Sequence, residues 1–140
     1  MSMRPPLGLF GSFVLIRGGE HHKTLDLKHN GVVPIIDLAR IYALASGVAA
    51  VNTRDRLEAT AGLGEVSRDG AADLREAMEF IGGVRLAHQA STVRQGGSPD
   101  NFVPPAELSS FERNHLKDAF ALVRSMQATL EQRFQTGRLR

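Results

Sequence analysis

From Pro34 onward the chain is punctuated as helices, and this punctuation limits the folds open to it more than any other feature. Pro34 suits a first helical position, Asp37 falls in the first turn where the helix dipole favours an anion, and Gly47 supplies a stop. This predicts a helix over 34–46. Asn52 or Thr53 caps a shorter second helix through Ala61, stopped by Gly62 and Gly64. Ser67 opens a third that runs to about Arg94 and ends at Gly96-Gly97-Ser98-Pro99. Ser109 and Glu112 have the spacing of a capping box for a last helix reaching about Phe134, with Pro105 an alternative start one turn earlier. The expected fold class is all-α, a bundle of about four helices over 34–135 with a short tail at 136–140.

The first thirty-three residues read differently. Phe13-Val14-Leu15-Ile16 is a short apolar run closed by Gly18-Gly19, and Thr24 to Lys28 alternates polar and apolar with period two. An extended or short-hairpin arm over 1–33 is expected. Two strands alone are marginally stable, so the arm must lean on the bundle or on a partner. An exposed edge recruits other chains, which makes a homo-oligomer through the arm the simplest expectation.

Composition narrows the function classes. A chain of 140 residues and 15.2 kDa has room for one domain, and 42% hydrophobic with 23% charged residues is ordinary globular usage. With no cysteine there is no disulfide, thiolate metal site or cysteine nucleophile. Seventeen Lys+Arg stand against fifteen Asp+Glu, split eight to seven over residues 1–70 and nine to eight over 71–140. Without a basic stripe or a tryptophan, a nucleic-acid groove is not expected. No apolar run approaches the ~20 residues of a membrane span, and no secretory signal is visible. The expected setting is the cytoplasm.

Several polar residues interrupt apolar stripes. The first helix is apolar almost all round (Ile35, Ile36, Leu38, Ile41, Tyr42, Leu44, Ala45), as a central helix would be. Its only charges, Asp37 and Arg40, share a face and suit either an orienting ion pair or a polar cluster at an interdomain cleft. On the third helix Leu74, Ala77, Met78 and Ile81 form a stripe whose continuation lands on Arg85 and His88. These should point inward or along a cleft, either in a structural network bridging helices or toward a ligand, because an unpartnered buried guanidinium costs several kcal/mol. Gly82-Gly83 in mid-helix costs roughly 1 kcal/mol per glycine, which predicts a close helix approach or a kink. The last helix carries Leu116, Ala119, Phe120, Val123, Leu130 and Phe134 on one stripe with Gln127 inside it, placed to hydrogen-bond within the bundle.

Catalytic constellations are missing from the sequence. His21, His22 and His29 have no carboxylate neighbours at metal-ligand spacing, so no zinc site is expected. The stretch at 8–12, Gly-Leu-Phe-Gly-Ser, lacks the lysine and following helix of a phosphate loop, and no serine elbow occurs.

With these residues laid out, the run from Leu25 to Leu44 (LDLKHNGVVPIIDLARIYAL) resembles the opening of a family of nucleotidyltransferase substrate-binding domains. Asn52-Thr53 with Arg56-Leu57, Arg85-Leu86-Ala87-His88-Gln89, Pro99-Asp100-Asn101, Leu116-Lys117, Gln127 and Arg133-Phe134 extend the pattern in order from about Pro5 to Phe134. In that family the helical domain follows a nucleotidyltransferase domain in bacterial signalling proteins, often beside CBS or cyclic-nucleotide-binding modules. More distantly, Asp26 to Asp37 is similar to the start of the helical domain in PII uridylyltransferases and glutamine-synthetase adenylyltransferases. There the stretch reads Gly-Gly-Leu-Arg-Asp; here Gly31 and Asp37 remain and Pro34 interrupts.

The resemblance implies an accessory domain that positions the acceptor for a catalytic domain supplied in cis or in trans. The Gly-Ser motif and paired aspartates of the family's catalytic sheet are absent, so this chain alone is expected to transfer no nucleotide and to hold no cofactor. Mg and nucleotide would come with the catalytic domain. Asp26, Lys28, Arg40, Arg85 and His88 are the expected acceptor-site residues, the cations meeting phosphate or carboxylate and His88 orienting by hydrogen bonds. Asp37, Asn52, Arg56, Gln89, Asn101 and Gln127 are the expected structural polar network. The other reading of the same bundle is a non-enzymatic interaction or oligomerisation module.

Overall fold

The computed structural model describes residues 3–8 and 12–135. The tail at 136–140 and three residues of the 8–12 stretch (Leu9, Phe10 and Gly11) lie outside the described residues. Among those described there are four α-helices: α1 (Val33–Ser46), α2 (Thr53–Thr60), α3 (Arg68–Arg94) and α4 (Ser110–Gln135). The chain is therefore an all-α bundle with an N-terminal arm. A two-residue strand β1 (Leu25–Asp26) pairs antiparallel with β2 (Phe102–Val103), Leu25 opposite Val103 and Asp26 opposite Phe102.

The helix ends follow local chemistry. Asn52 accepts the Asp55 N–H at 2.8 Å to cap α2, and Ser67 accepts the Gly70 N–H at 2.9 Å to cap α3. Ser109 and Glu112 form the reciprocal box before α4, at 2.9 and 3.1 Å. Gly47, at φ +68°, takes the left-handed conformation that closes α1. The start of α1 differs from expectation, because a π-helical turn over Lys28–Val32 runs directly into it. Asp37 thereby falls outside the first turn, and the dipole argument for it lapses.

The core lies between α1, α3 and α4. Ile35 and Leu38 of α1, Leu74 and Ile81 of α3, and Leu116 and Phe120 of α4 are each fully buried. The π-turn seats against α3 at Gly31, where a Cβ would come within 3.0 Å of the Ile81 methyl, so glycine permits the approach. α1 is not central all round: Leu44 is 76% exposed and Ala45 also faces out. Phe134, expected on the inner stripe of α4, is half exposed at the helix end.

The arm lies along α4. Phe13 meets Phe120 edge-on at 6.0 Å, and the Lys117 ammonium sits 5.1 Å from the Phe13 ring centroid. Arg124 donates to the Leu7 carbonyl, Gln127 to the Met3 carbonyl, and Arg4 pairs with Glu131. The run 13–16 is not a regular strand: Leu7 and Phe13 form one isolated bridge, and Ile16 exchanges main-chain bonds with Lys23 and Thr24.

Candidate functional site

The β1–β2 pairing brings together residues far apart in sequence. Beyond β1 the Leu27 N–H donates to the Asn101 carbonyl, so the turn carrying Asp26 and Lys28 lies against the loop entering β2. Asp26 accepts from the Lys28 and His29 N–H groups at 3.2 and 3.0 Å, and its second oxygen meets His29 Nδ1 at 2.9 Å. His29 therefore does have a carboxylate neighbour, correcting the sequence reading. The i, i+3 spacing across a helical turn creates it.

α3 supplies the opposite wall. Arg85 donates twice to Asn101 Oδ1, from Nε at 3.2 Å and from Nη2 at 2.8 Å, and Gln89 donates to the same oxygen at 3.3 Å. One turn further, His88 is clamped through both ring nitrogens. Nε2 meets Asp100 at 2.9 Å and Nδ1 meets Glu107 at 3.0 Å, with only 9% of the side chain exposed. Burial works against the charged ring, but the hydrogen bonds and charges of Glu107 and Asp100 outweigh it and raise the His88 pKa. Burial also disfavours the Asp100 anion. The Phe102 N–H, His88 and His21 overcome this and hold Asp100 below the usual carboxylate value. His21 reaches the site from the arm, stacked on Phe102 at 3.6 Å between centroids.

Arg85 and His88 thus differ in charge compensation. The His88 ring faces two carboxylates, whereas Arg85 bonds a neutral amide oxygen and makes no ion pair among the described residues. Lys28, exposed on the neighbouring turn, likewise pairs with no carboxylate among them. His88 and Glu107 line a cleft of about 350 Å³ between α3, β2 and the start of α4.

The other expected residues lie elsewhere. Arg40 pairs with Asp37 at 3.6 Å on the outer face of α1 and makes no bond to the Arg85–His88 group. Asn52 caps α2 and Arg56 Nε donates to the Ala50 carbonyl at 2.9 Å, so both are spent on local structure. Gln127 is buried and tied to the arm rather than to another helix. Gly82 and Gly83 do not mark a close approach: a Cβ at either would meet no atom within 4 Å, and α3 runs unbroken through them. Sequence reasoning missed Asp100 and Glu107 as the partners of His88, because both come from beyond the loop after α3.

A second cleft of about 520 Å³ lies between α1, α4 and the loop before α3, lined by Tyr42, Glu65, Ser67 and Arg133 among others. Arg133 pairs there with Glu65. Burial pushes the Tyr42 hydroxyl up to about 12, against the pull of Arg133 and with some help from Glu65, so it stays a neutral phenol.

Arg85, His88, Gln89, Asp100 and Asn101 thus gather at the β1–β2 end of the helical bundle, while Asn52, Arg56 and Gln127 lie elsewhere. The family model described as "Putative nucleotidyltransferase substrate binding domain" matches residues 1–134, and the chain belongs to that family. No match was found among curated proteins or among solved structures. No helix among the described residues is long and apolar enough to cross a membrane.

The metal that nucleotidyl transfer implies does not fit this site. Among the described residues no three His, Asp or Glu side chains are grouped to hold an ion. The two carboxylates that converge, those of Asp100 and Glu107, are each turned to a different nitrogen of His88.

Proposed function

We propose that this domain holds the acceptor for a nucleotidyl transfer carried out by a catalytic domain in cis or in trans, in the cytoplasm. Mg and nucleotide belong to that other domain. The observation that carries the reading is the uncompensated charge of Arg85. Its guanidinium is fixed by Asn101, whose side-chain oxygen Gln89 also holds, but it is not neutralised, and Lys28 stands on the adjoining turn. A planar fork held this way is preorganised for a phosphate or carboxylate on the acceptor. His88, held by Asp100 and Glu107, fixes the loop that positions Asn101, while Asp26 orders the turn that carries Lys28. Arg40 is the remaining member, reached only by an acceptor large enough to extend along α1.

Titration with inorganic phosphate or citrate, followed by amide NMR, tests this. Shifts confined to residues 26–30 and 85–101 are expected, and Arg85→Gln should weaken the interaction about tenfold or more. The substitution removes hydrogen bonds worth about 1–3 kcal/mol at a half-buried site, so thermal melts must accompany it. Uniform weak shifts over the whole surface, unchanged in Arg85→Gln, would overturn the reading.

A further inference from the structure

The acceptor site makes no use of the second cleft, between α1, α4 and the loop before α3. The stripe that buries Ile35 and Leu38 also carries Tyr42 inward, leaving that residue only 2% exposed. Its hydroxyl nevertheless makes no hydrogen bond among the described residues. Burial first, then the charges of Arg133 and Glu65, account for its raised pKa. Among the described residues the one side-chain polar atom both sealed from solvent and without a partner is Gln127 Oε1, so the Tyr42 oxygen opens into the cleft it lines. Whatever accepts from that hydroxyl must therefore enter the cleft. Glu65 reaches the same cleft because the loop folds back on itself, the Gly62 N–H donating to the Val66 carbonyl at 3.0 Å. One Glu65 carboxylate oxygen takes the Arg133 guanidinium, and the other has no partner among the described residues.

We propose that this cleft binds a small neutral molecule carrying a carboxamide or lactam on an apolar body. The polar group is set by what the walls leave unused, the Tyr42 hydroxyl as a donor and the second Glu65 oxygen as an acceptor. An amide offers the complement, a carbonyl for the first and an N–H for the second. Neutrality follows from the charges. Arg133 and Glu65 already compensate each other and Tyr42 stays a phenol, so an ion entering here would lose hydration without gaining a counter-charge. The apolar body answers to Val66, Met126 and Leu130, which supply the apolar wall. A volume of about 520 Å³ is room enough for such a molecule.

Tyr42 is the only tyrosine and the chain has no tryptophan, so tyrosine fluorescence of the full chain reads this cleft alone. The probe is ε-caprolactam, which is neutral, transparent at those wavelengths and carries its amide in an aliphatic ring. A saturable change is expected in the millimolar range that so few atoms allow, with amide NMR shifts confined to residues 42, 62–67 and 126–133. N-methylcaprolactam keeps the carbonyl but has no N–H, and should bind at least about threefold more weakly. Hexanoate and hexylammonium should not compete. Tyr42→Phe, followed by NMR, should weaken caprolactam at least about threefold. Its melting temperature should stay at or above that of the unsubstituted chain, because the lost hydroxyl makes no bond in the fold. The absence of a saturable signal overturns the proposal. So do shifts scattered over the whole surface, equal binding of N-methylcaprolactam, competition by either ion, or full affinity in Tyr42→Phe. A lower melting temperature for Tyr42→Phe overturns it too, by showing that the hydroxyl already has a partner within the protein.

Discussion

At the β1–β2 end, Arg85 spends two N–H groups on the neutral amide oxygen of Asn101. Across the bundle, Arg124 and Gln127 spend theirs on main-chain carbonyls of the arm. Both ends tie together distant parts of the chain, but the packing around them differs. On the α4 side the bonds accompany apolar packing, with Phe13 on Phe120, so the polar groups serve an interface that is already buried. At the β1–β2 end the packing is thin, a two-residue sheet and one stacked His–Phe pair. Its polar groups hold one another in place, with Arg85 and Lys28 facing no carboxylate among the described residues. The first arrangement stabilises; the second orders a surface.

The largest expected effect breaks the packed end. Phe120 is fully buried, and Phe120→Ala should cost about 3–5 kcal/mol in urea unfolding. A double-mutant cycle with Phe13→Ala should give a coupling of about 0.5–1.5 kcal/mol, the value of an edge-on aromatic pair. Zero coupling would mean that the arm adds nothing to the bundle, and the contrast drawn above would fall.

The other end should answer to pH. The folded-state pKa of His88 lies above its ordinary 6.5, so its contribution is full below 6.5 and fades as pH rises through the folded value. Asp100, lowered from 3.8, contributes above that value and loses its contribution as pH falls through its lower folded value. The clamp is therefore complete between 3.8 and 6.5. His88→Gln should destabilise by about 1–3 kcal/mol at pH 6 and by less at pH 8.5, measured by paired urea melts. An equal loss at both values would show that the ring is held as a neutral group.

How far the sequence reaches follows the same division. All four helices are legible from capping residues and stripes, because a capping box or a glycine stop acts within one turn: Ser109 with Glu112 needs no knowledge of the rest of the chain. Arg85 and His88 are legible as inward-facing by continuing the α3 stripe. Their partners are not, because Asn101, Asp100 and Glu107 reach them only after the chain reverses, and β2 is too short to show a period. The placement of the arm on α4 depends on contacts more than a hundred residues apart, which no local pattern encodes. Gly82-Gly83 shows where local reasoning fails in the other direction, since their cost is visible in the sequence but no close packing among the described residues offsets it.

The smallest expected effect separates stability from binding. Arg40 and Asp37 sit 3.6 Å apart with side chains 55% and 32% exposed, a surface pair of the kind worth at most about 0.5 kcal/mol. Arg40→Ala should leave the melting temperature within about a degree. Any role for Arg40 then lies with the acceptor, and an acceptor that reaches α1 should bind more weakly to the variant while inorganic phosphate, confined to Arg85 and Lys28, binds as before. Equal losses for both ligands would place Arg40 inside the Arg85 site, against the geometry, and no loss for either would remove it from the acceptor surface. A destabilisation above 1 kcal/mol would instead mean that this end of α1 is held by its charges, as the α4 side is held by its rings.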